Sequence, residues 1–297
     1  MIPLIRLKKE LEFNKELTNV VDVLKGIAAA RFHVLQKQLV LFQHFFKTVE
    51  RFLTLMDETQ VAHPFVQPRN NVTGVIMVTS DAGFLGGLNS QVIAKGLQAS
   101  ASRGLLTIIG ERGANYLRDL HLQYAAFPGI EDAARLKRAL AIKDHVLRQV
   151  RQGSCGKLVV VYPRPVSMTQ QQITVETLLP CTAWAPRGNV ATPRDTLWES
   201  RPADVIEYLV DQWIGHRLAE IFALSRLSEL AARVTHLEGS YQELQTRGKK
   251  LRLQYFRARH EIIDRGIREI FAAQILARHR AEGAPADAVG ATHERAG

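Results

Sequence analysis

The chain has 297 residues, is 46% hydrophobic and carries a formal net charge of +10, so it can bury a sizeable core in one or two domains. No apolar run approaches the ~20 residues a bilayer-spanning helix needs, and the opening MIPLIRLKKELEF is charged too early for a secretory apolar core, so a cytosolic protein is expected. The positive balance calls for an acidic partner, whether nucleic acid, anionic lipid or an acidic protein surface.

The N-terminal stretch predicts one long helix over residues 1–62. No proline occurs between Pro3 and Pro64, and proline inside a helix costs about 3 kcal/mol. Steps of three and four from Leu4 land on Leu7, Leu11, Asn14, Thr18, Val21, Lys25, Ala28, Phe32, Leu35, Leu39, Phe42, Phe46, Val49, Leu53 and Met56. Only Asn14, Thr18 and Lys25 interrupt this seam. A 3.5-residue period held so long predicts a coiled coil about 80 Å long. Two ordinary bundle helices are the plainer alternative.

From residue 68 to 200 the pattern changes to strands and helices in alternation. Thr73–Ser80 predicts a strand and the following LNSQVIAKGLQAS a helix. Leu105–Gly110 predicts a second strand and ERGANYLRDL a second helix. Glu131–Val150 predicts a third helix, Lys157–Pro163 another strand, and SMTQQQITVETLLP an extended segment. Strands separated by helices predict a doubly wound, largely parallel, Rossmann-like α/β domain. Cys155 and Cys181, the only cysteines, lack metal-ligand spacing and read as small buried hydrophobes.

Residues 201–280 predict a second long helix, free of proline from Pro202 to Pro285. Its seam runs through Leu227, Leu230, Val234, Leu237, Tyr241, Leu244, Gly248, Leu251, Tyr255, Ala258 and Ile262, with Gly248 the single break. Helices this long need another long partner, and each is the other's nearest candidate. Arg247, Lys249, Lys250, Arg252, Arg257 and Arg259 form a band with no acid before Glu261. A solvated face is the common reading of such a run, and a contact surface is the functional one. The Ala/Gly-rich tail, residues 281–297, is expected to be disordered.

The motifs do not add up to catalysis. Ser80–Asn89, SDAGFLGGLN, lies at a strand-to-helix turn, where phosphate loops sit. Its glycines, Gly83, Gly86 and Gly87, do not make G-x-G-x-x-G, and no P-loop lysine follows. Gly153–Leu158 has too few residues between its glycines and follows a helix instead of a strand. His260-Glu261 resembles half of H-E-x-x-H, but the second ligand position is Asp264. Neither a cofactor nor a metal is expected.

Long terminal helices around an α/β insert resemble the gamma subunit of F-type ATP synthases. Thr79–Asn89, TSDAGFLGGLN, is similar to that family's T-S-D-x-G-L-C-G-G-L-N loop through Ser80, Asp81, Gly83, Gly86, Gly87 and Asn89. Ile27–Arg31, IAAAR, resembles V-A-A-S-K, and Ser228–Ser240 resembles S-E-x-A-A-R-M-x-A-M-x-x-A. Tyr255, Arg259, Ile263, Ile267, Glu269 and Ile270 match the C-terminal signature. This chain departs from the family at Asn19–Gly26, at His260 in place of Gln, at Asp264 and Gly266 in place of Thr and Glu, and at Ala273-Gln274 in place of Gly-Ala. It reads as a divergent branch.

The resemblance implies a non-catalytic rotor shaft, peripheral on the cytoplasmic face of the inner membrane. It couples ion transport to ATP synthesis or hydrolysis in partner subunits. The implied partners are an alpha and beta subunit ring, an epsilon subunit and the membrane c-ring, with no nucleic acid. Partner contacts are expected from the six cations, from His260 and Asp264, from Ile263, Ile267, Ile270 and Phe271, and from Lys25 and Arg31. A basic coiled-coil protein whose α/β domain binds a small ligand or nucleic acid is the alternative, against which the missing phosphate fingerprint and sparse aromatics count. A Rossmann-type enzyme with helical extensions is a third.

Overall fold

The computed structural model describes residues 4–39, 43–54, 63–100, 104–181 and 199–282. The chain divides into two compact units, Val21–Ser240 and a second built from Met1–Val20 with Tyr241–Gly297. Two helices, α1 (Leu4–Gln38) and the 81-residue α6 (Pro202–Glu282), contribute to both. At 1.5 Å per residue α6 is about 120 Å long.

In Val21–Ser240 a five-stranded sheet has the order β3-β2-β1-β4-β5. Its strands are β1 (Thr73–Val78), β2 (Leu105–Ile109), β3 (Ala125–Phe127), β4 (Lys157–Pro165) and β5 (Gln171–Leu179). The first four are parallel and β5 runs antiparallel to β4. The crossovers are α3 (Leu88–Ser100), α4 (Glu111–Asp119) and α5 (Arg135–Arg151), the last entered through a 3-10 turn at Asp132–Ala134. Alternate residues serve opposite faces, as the pleat requires. Val75, Met77, Val159 and Val161 pack under α3 and α4 with Val92, Ile93 and Leu117. Ile76, Val78, Val160 and Tyr162 face α5 and the first turns of α6 through Ile142, Val146, Ile214 and Phe222. Cys155 and Cys181 are buried there. The strand β3 escaped the sequence reading because three residues carry too little periodicity.

The N-terminal pattern does not give one helix. After α1 a separate helix, α2 (Gln43–Thr54), turns Phe46 and Val49 into the sheet core, with Phe46 edge-on to Trp213 at 5.8 Å between centroids. A seam of apolar residues satisfies a globular core as well as a helical partner, so periodicity alone does not separate the two. Phe42 and Met56 lie outside the described residues, as do residues 55–62 and nearly all of the tail. The start of α6 is likewise a core helix. Its Arg217 makes a two-pronged ion pair with Glu176 of β5, at 2.6 and 2.8 Å, which also accepts a hydrogen bond from the Tyr162 hydroxyl at 3.0 Å.

α1 and α6 run antiparallel in each unit. In Val21–Ser240, Phe32 and Leu35 pack on Leu227, Leu230 and Ala231, and Lys25 bridges to Glu238 at 3.1 Å. In the other unit Asn14 donates its amide to the Leu244 carbonyl at 3.0 Å. Every α1 seam position from Leu4 to Leu35 is buried or half-buried. On α6 the seam holds as far as Ala258. Ile262 continues the three-four step but is 50% exposed, because α1 has by then run out.

Candidate partner-binding surfaces

The Thr79–Asn89 loop closes on itself at the C-terminal end of β1. Thr79 donates its hydroxyl to the Ile109 carbonyl at 2.6 Å. Ser80 and Asn89 grip each other side chain to side chain at 2.9 Å, and Asn89 also accepts the Ser80 amide at 3.3 Å. Asp81 spans the neighbouring turns: its Oδ1 accepts the amides of Glu111, at 2.7 Å, and Gly129, at 3.1 Å. A Cβ on residue 129 would lie 2.2 Å from Asp81 Oδ2, so only glycine fits there. The Asp81 carboxylate thus sits at the N-terminus of α4 and places a negative charge within the loop.

This loop rests on α6 through two of the segments that the sequence singled out separately. Leu85 and Leu88 pack on Ala232. Arg233 approaches the Gly83 carbonyl at 3.5 Å, and Ser228 donates to the Pro163 carbonyl at 3.0 Å. Beneath them Glu229 pairs with Arg226 at 2.7 Å. Burial pushes the Glu229 carboxyl up to about 7, against the pull of Arg226 and Arg233. The i, i+3 spacing of Arg226 and Glu229 was legible in the sequence, but their burial was not. Gly86 takes a left-handed conformation with φ 58°, as does Phe84 with φ 63°, which leaves the Phe84 ring exposed.

In the second unit the six cations Arg247, Lys249, Lys250, Arg252, Arg257 and Arg259 are all exposed. Leu244, Gly248, Leu251, Tyr255 and Ala258 occupy an arc of about 80° facing α1, and the cations are distributed over the rest of the circumference. The band is a collar instead of a stripe. Among the described residues none of the six pairs with a carboxylate. Arg252 stacks over the Phe256 ring at 5.9 Å. His260 and Asp264 are exposed on the following turns.

Past Ala258 the helix presents Ile262, Ile263, Ile267, Ile270, Phe271, Ile275 and Leu276 to solvent, Phe271 and Ile270 by about three-fifths of their surface. Apolar residues this dense on a helix with no neighbour among the described residues mark a surface that something else covers. Of the two N-terminal candidates, Arg31 is exposed. Lys25 is instead engaged within the chain by Asp22, at 2.9 Å, and Glu238, and the Asp22 and Glu238 carboxylates raise its ammonium pKa. Among the described residues there is no group of three or more metal-ligating side chains.

The family model described as ATP synthase matches residues 4–274. The chain belongs to the ATP synthase gamma-chain family. It is 27% identical over 275 residues to the gamma chain of Chlorobaculum tepidum, covering 87% of this chain and 93% of that one. Against the gamma chain of Picosynechococcus the identity is 24%, covering 90% and 96%. In three dimensions it is similar to a chain of the Euglena gracilis mitochondrial ATP synthase OSCP/F1/c-ring structure, with a TM-score of 0.66 at 16% identity over 97% and 99% of the two chains. A chain of the Euglena gracilis rotor structure aligns with a TM-score of 0.64 at 15% identity over 88% and 98%. The resemblance read from Thr79–Asn89 and the C-terminal signature therefore holds at the level of the family. Among the described residues no helix is long and apolar enough to cross a membrane.

Proposed function

We propose that this chain is the central rotor shaft of an F-type ATP synthase, coupling ion translocation to ATP synthesis or hydrolysis carried out by partner subunits. Membership of the family supports this, and one structural observation carries it: α6 is ringed by cations where α1 covers only one side of it, and continues past Ala258 with Ile262, Ile263, Ile267, Ile270, Phe271, Ile275 and Leu276 exposed among a few charges. A lone helix of that composition is soluble and rigid only inside a cavity that supplies acidic groups and an apolar sleeve.

In this reading α1 and the distal part of α6 form an antiparallel coiled coil, and the sheet domain is a Rossmann-like insert. The segments are 1–62, 68–200, 201–280 and a tail, 281–297, with α2 and the first turns of α6 serving the insert. The coiled coil enters a ring of alpha and beta subunits. There the six cations, with His260, Asp264 and Arg31, meet acidic loops, and Ile263, Ile267, Ile270 and Phe271 turn in the sleeve. The insert, its loop shaped by Ser80, Asp81, Gly83, Gly86, Gly87 and Asn89, meets the epsilon subunit and the c-ring at the cytoplasmic face of the membrane. An asymmetric shaft in a three-fold ring favours a different conformer at each catalytic site, so rotation cycles their affinities. Two packed helices resist torsion far better than one. The chain itself performs no catalysis.

The test is assembly. Affinity purification of the tagged full chain from its own cells is expected to bring down alpha, beta, epsilon and c subunits in a membrane-bound complex with ATPase activity. Recovery of the chain alone from membranes and cytosol, with an active synthase lacking it, sinks the reading.

A further inference from the structure

Two of the breaks in the apolar seams meet each other. Asn14 on α1 and Gly248 on α6 face across the helix pair, and Asn14 is only 6% exposed. Its Nδ2 reaches the Leu244 carbonyl at 3.0 Å. A Cβ on residue 248 would stand 2.9 Å from that same nitrogen, so the amide occupies the space that glycine vacates. The Asn14 Oδ1 is buried with no hydrogen-bond partner among the described residues. Thr18 donates to the Asn14 carbonyl at 2.7 Å. A cleft of about 500 Å³ opens beside the pair, lined among others by Leu11, Lys15, Gln245 and Arg252. Glycine inside a helix and an unsatisfied buried amide both lower stability, so neither is explained by packing.

We propose that Asn14 and Gly248 form a register key that fixes which turn of α1 faces which turn of α6. It rests on the shaft reading only for its purpose, which is to stop one helix slipping along the other under torque. Apolar contacts are non-directional, and a heptad seam packs nearly as well after a slide of seven residues, about 10 Å. The partners here lie more than 200 residues apart in sequence, so no tight turn sets their alignment. The key does. After a slide in either direction Asn14 would face Tyr241 or Tyr255, the seam residues one heptad from Gly248. A ring then fills the place the amide needs, and the amide loses its carbonyl. The same slide brings Leu7 or Val21 opposite Gly248, where neither can use the Leu244 carbonyl. A buried polar residue that sets alignment at a cost in stability is the best-attested role for such groups in helix pairs. In the other unit Lys25 and Glu238 form a comparable polar contact.

The experiment uses the full chain with spin labels on exposed Lys8 of α1 and Gln254 of α6, read by pulsed dipolar spectroscopy. The unaltered seam is expected to give one narrow distance. Asn14→Ala with Gly248→Ala, which removes both the amide and the gap it fills, is expected to stay folded yet show a second distance population shifted by up to about 10 Å. Gly248→Ala alone is expected to keep one distance and melt several degrees lower, because the added methyl meets the Asn14 amide. A single unchanged distance in the apolar variant, or a silent Gly248→Ala, overturns the proposal. Circular dichroism of each variant shows that α6 has formed. Because the readout needs no partner subunit, its failure is separable from a failure of the chain to assemble into a synthase.

Discussion

At Glu229 burial and two guanidiniums act in opposite directions, and burial wins. The carboxyl is pushed up to about 7, above its unfolded value, so between pH 5 and 7 the folded state holds a proton that the unfolded chain has released. Stability from this group is therefore fully present at low pH and lost as pH rises through 7. Melting the full chain across pH 5–8 should show that decline, and Glu229→Gln should flatten it; equal slopes would remove Glu229 as its source. At Leu237, 2% exposed within the α1–α6 seam, Leu237→Asp puts an unpaired charge between packed helices. A loss of about 3 kcal/mol or more is expected by thermal or urea denaturation. Asp81 is the third informative residue. Its carboxylate already caps the amides of Glu111 and Gly129, and like charge repels a phosphate. Isolated chain should bind ATP no better than millimolar, and micromolar binding by calorimetry would contradict this.

Among the elements, α6 carries three different jobs along one helix. Its first turns bury Ile206, Val210, Trp213 and Ile214 against the sheet, its middle pairs with α1, and its end is exposed among the described residues. Only composition changes between these stretches, since the helix is continuous. The cation collar belongs to the stretch where α1 covers only about a quarter of the circumference. Replacing Arg247, Lys249, Lys250, Arg252, Arg257 and Arg259 by Gln should leave folding nearly intact, because exposed substitutions of this kind usually change stability by less than about 0.5 kcal/mol each. Single changes are expected to be small, since exposed charge pairs are weak and screened. The six-fold variant should assemble yet show reduced ATP-driven pumping and torque in reconstituted vesicles. Full pumping with assembly verified would assign the collar to solvation alone.

For the whole molecule, the division of labour follows from where apolar surface can be hidden. The sheet unit buries both faces of its strands within the chain, under α3 and α4 on one side and α5, α6 and α2 on the other. Among the described residues of the other unit the buried residues lie along one thin seam, and its remaining apolar residues, from Ile262 to Leu276, stay exposed. A molecule built this way is finished only by its surroundings. In the shaft reading proposed above, the chain supplies stiffness and shape, and surrounding subunits would supply the cover.

The sequence by itself determined the elements whose signals are local. Alternation and turn residues placed β1, β2, β4, α3 and α4 within two residues and β5 and α5 within four, and the three-four step located every buried position of α1. The Thr79–Asn89 string and the C-terminal signature identified the family. Tertiary structure decided what periodicity cannot express, namely which partner each apolar face meets. It sent Phe46 and Val49 into the sheet core instead of the helix seam, withdrew Lys25 into an internal ion pair, and left Ile262 uncovered where α1 ends. It also turned two apparent defects, Asn14 and Gly248, into one contact. Seam defects look alike in a linear pattern, and only the alignment of residues far apart in sequence shows that a missing side chain on one helix makes room for a polar one on the other.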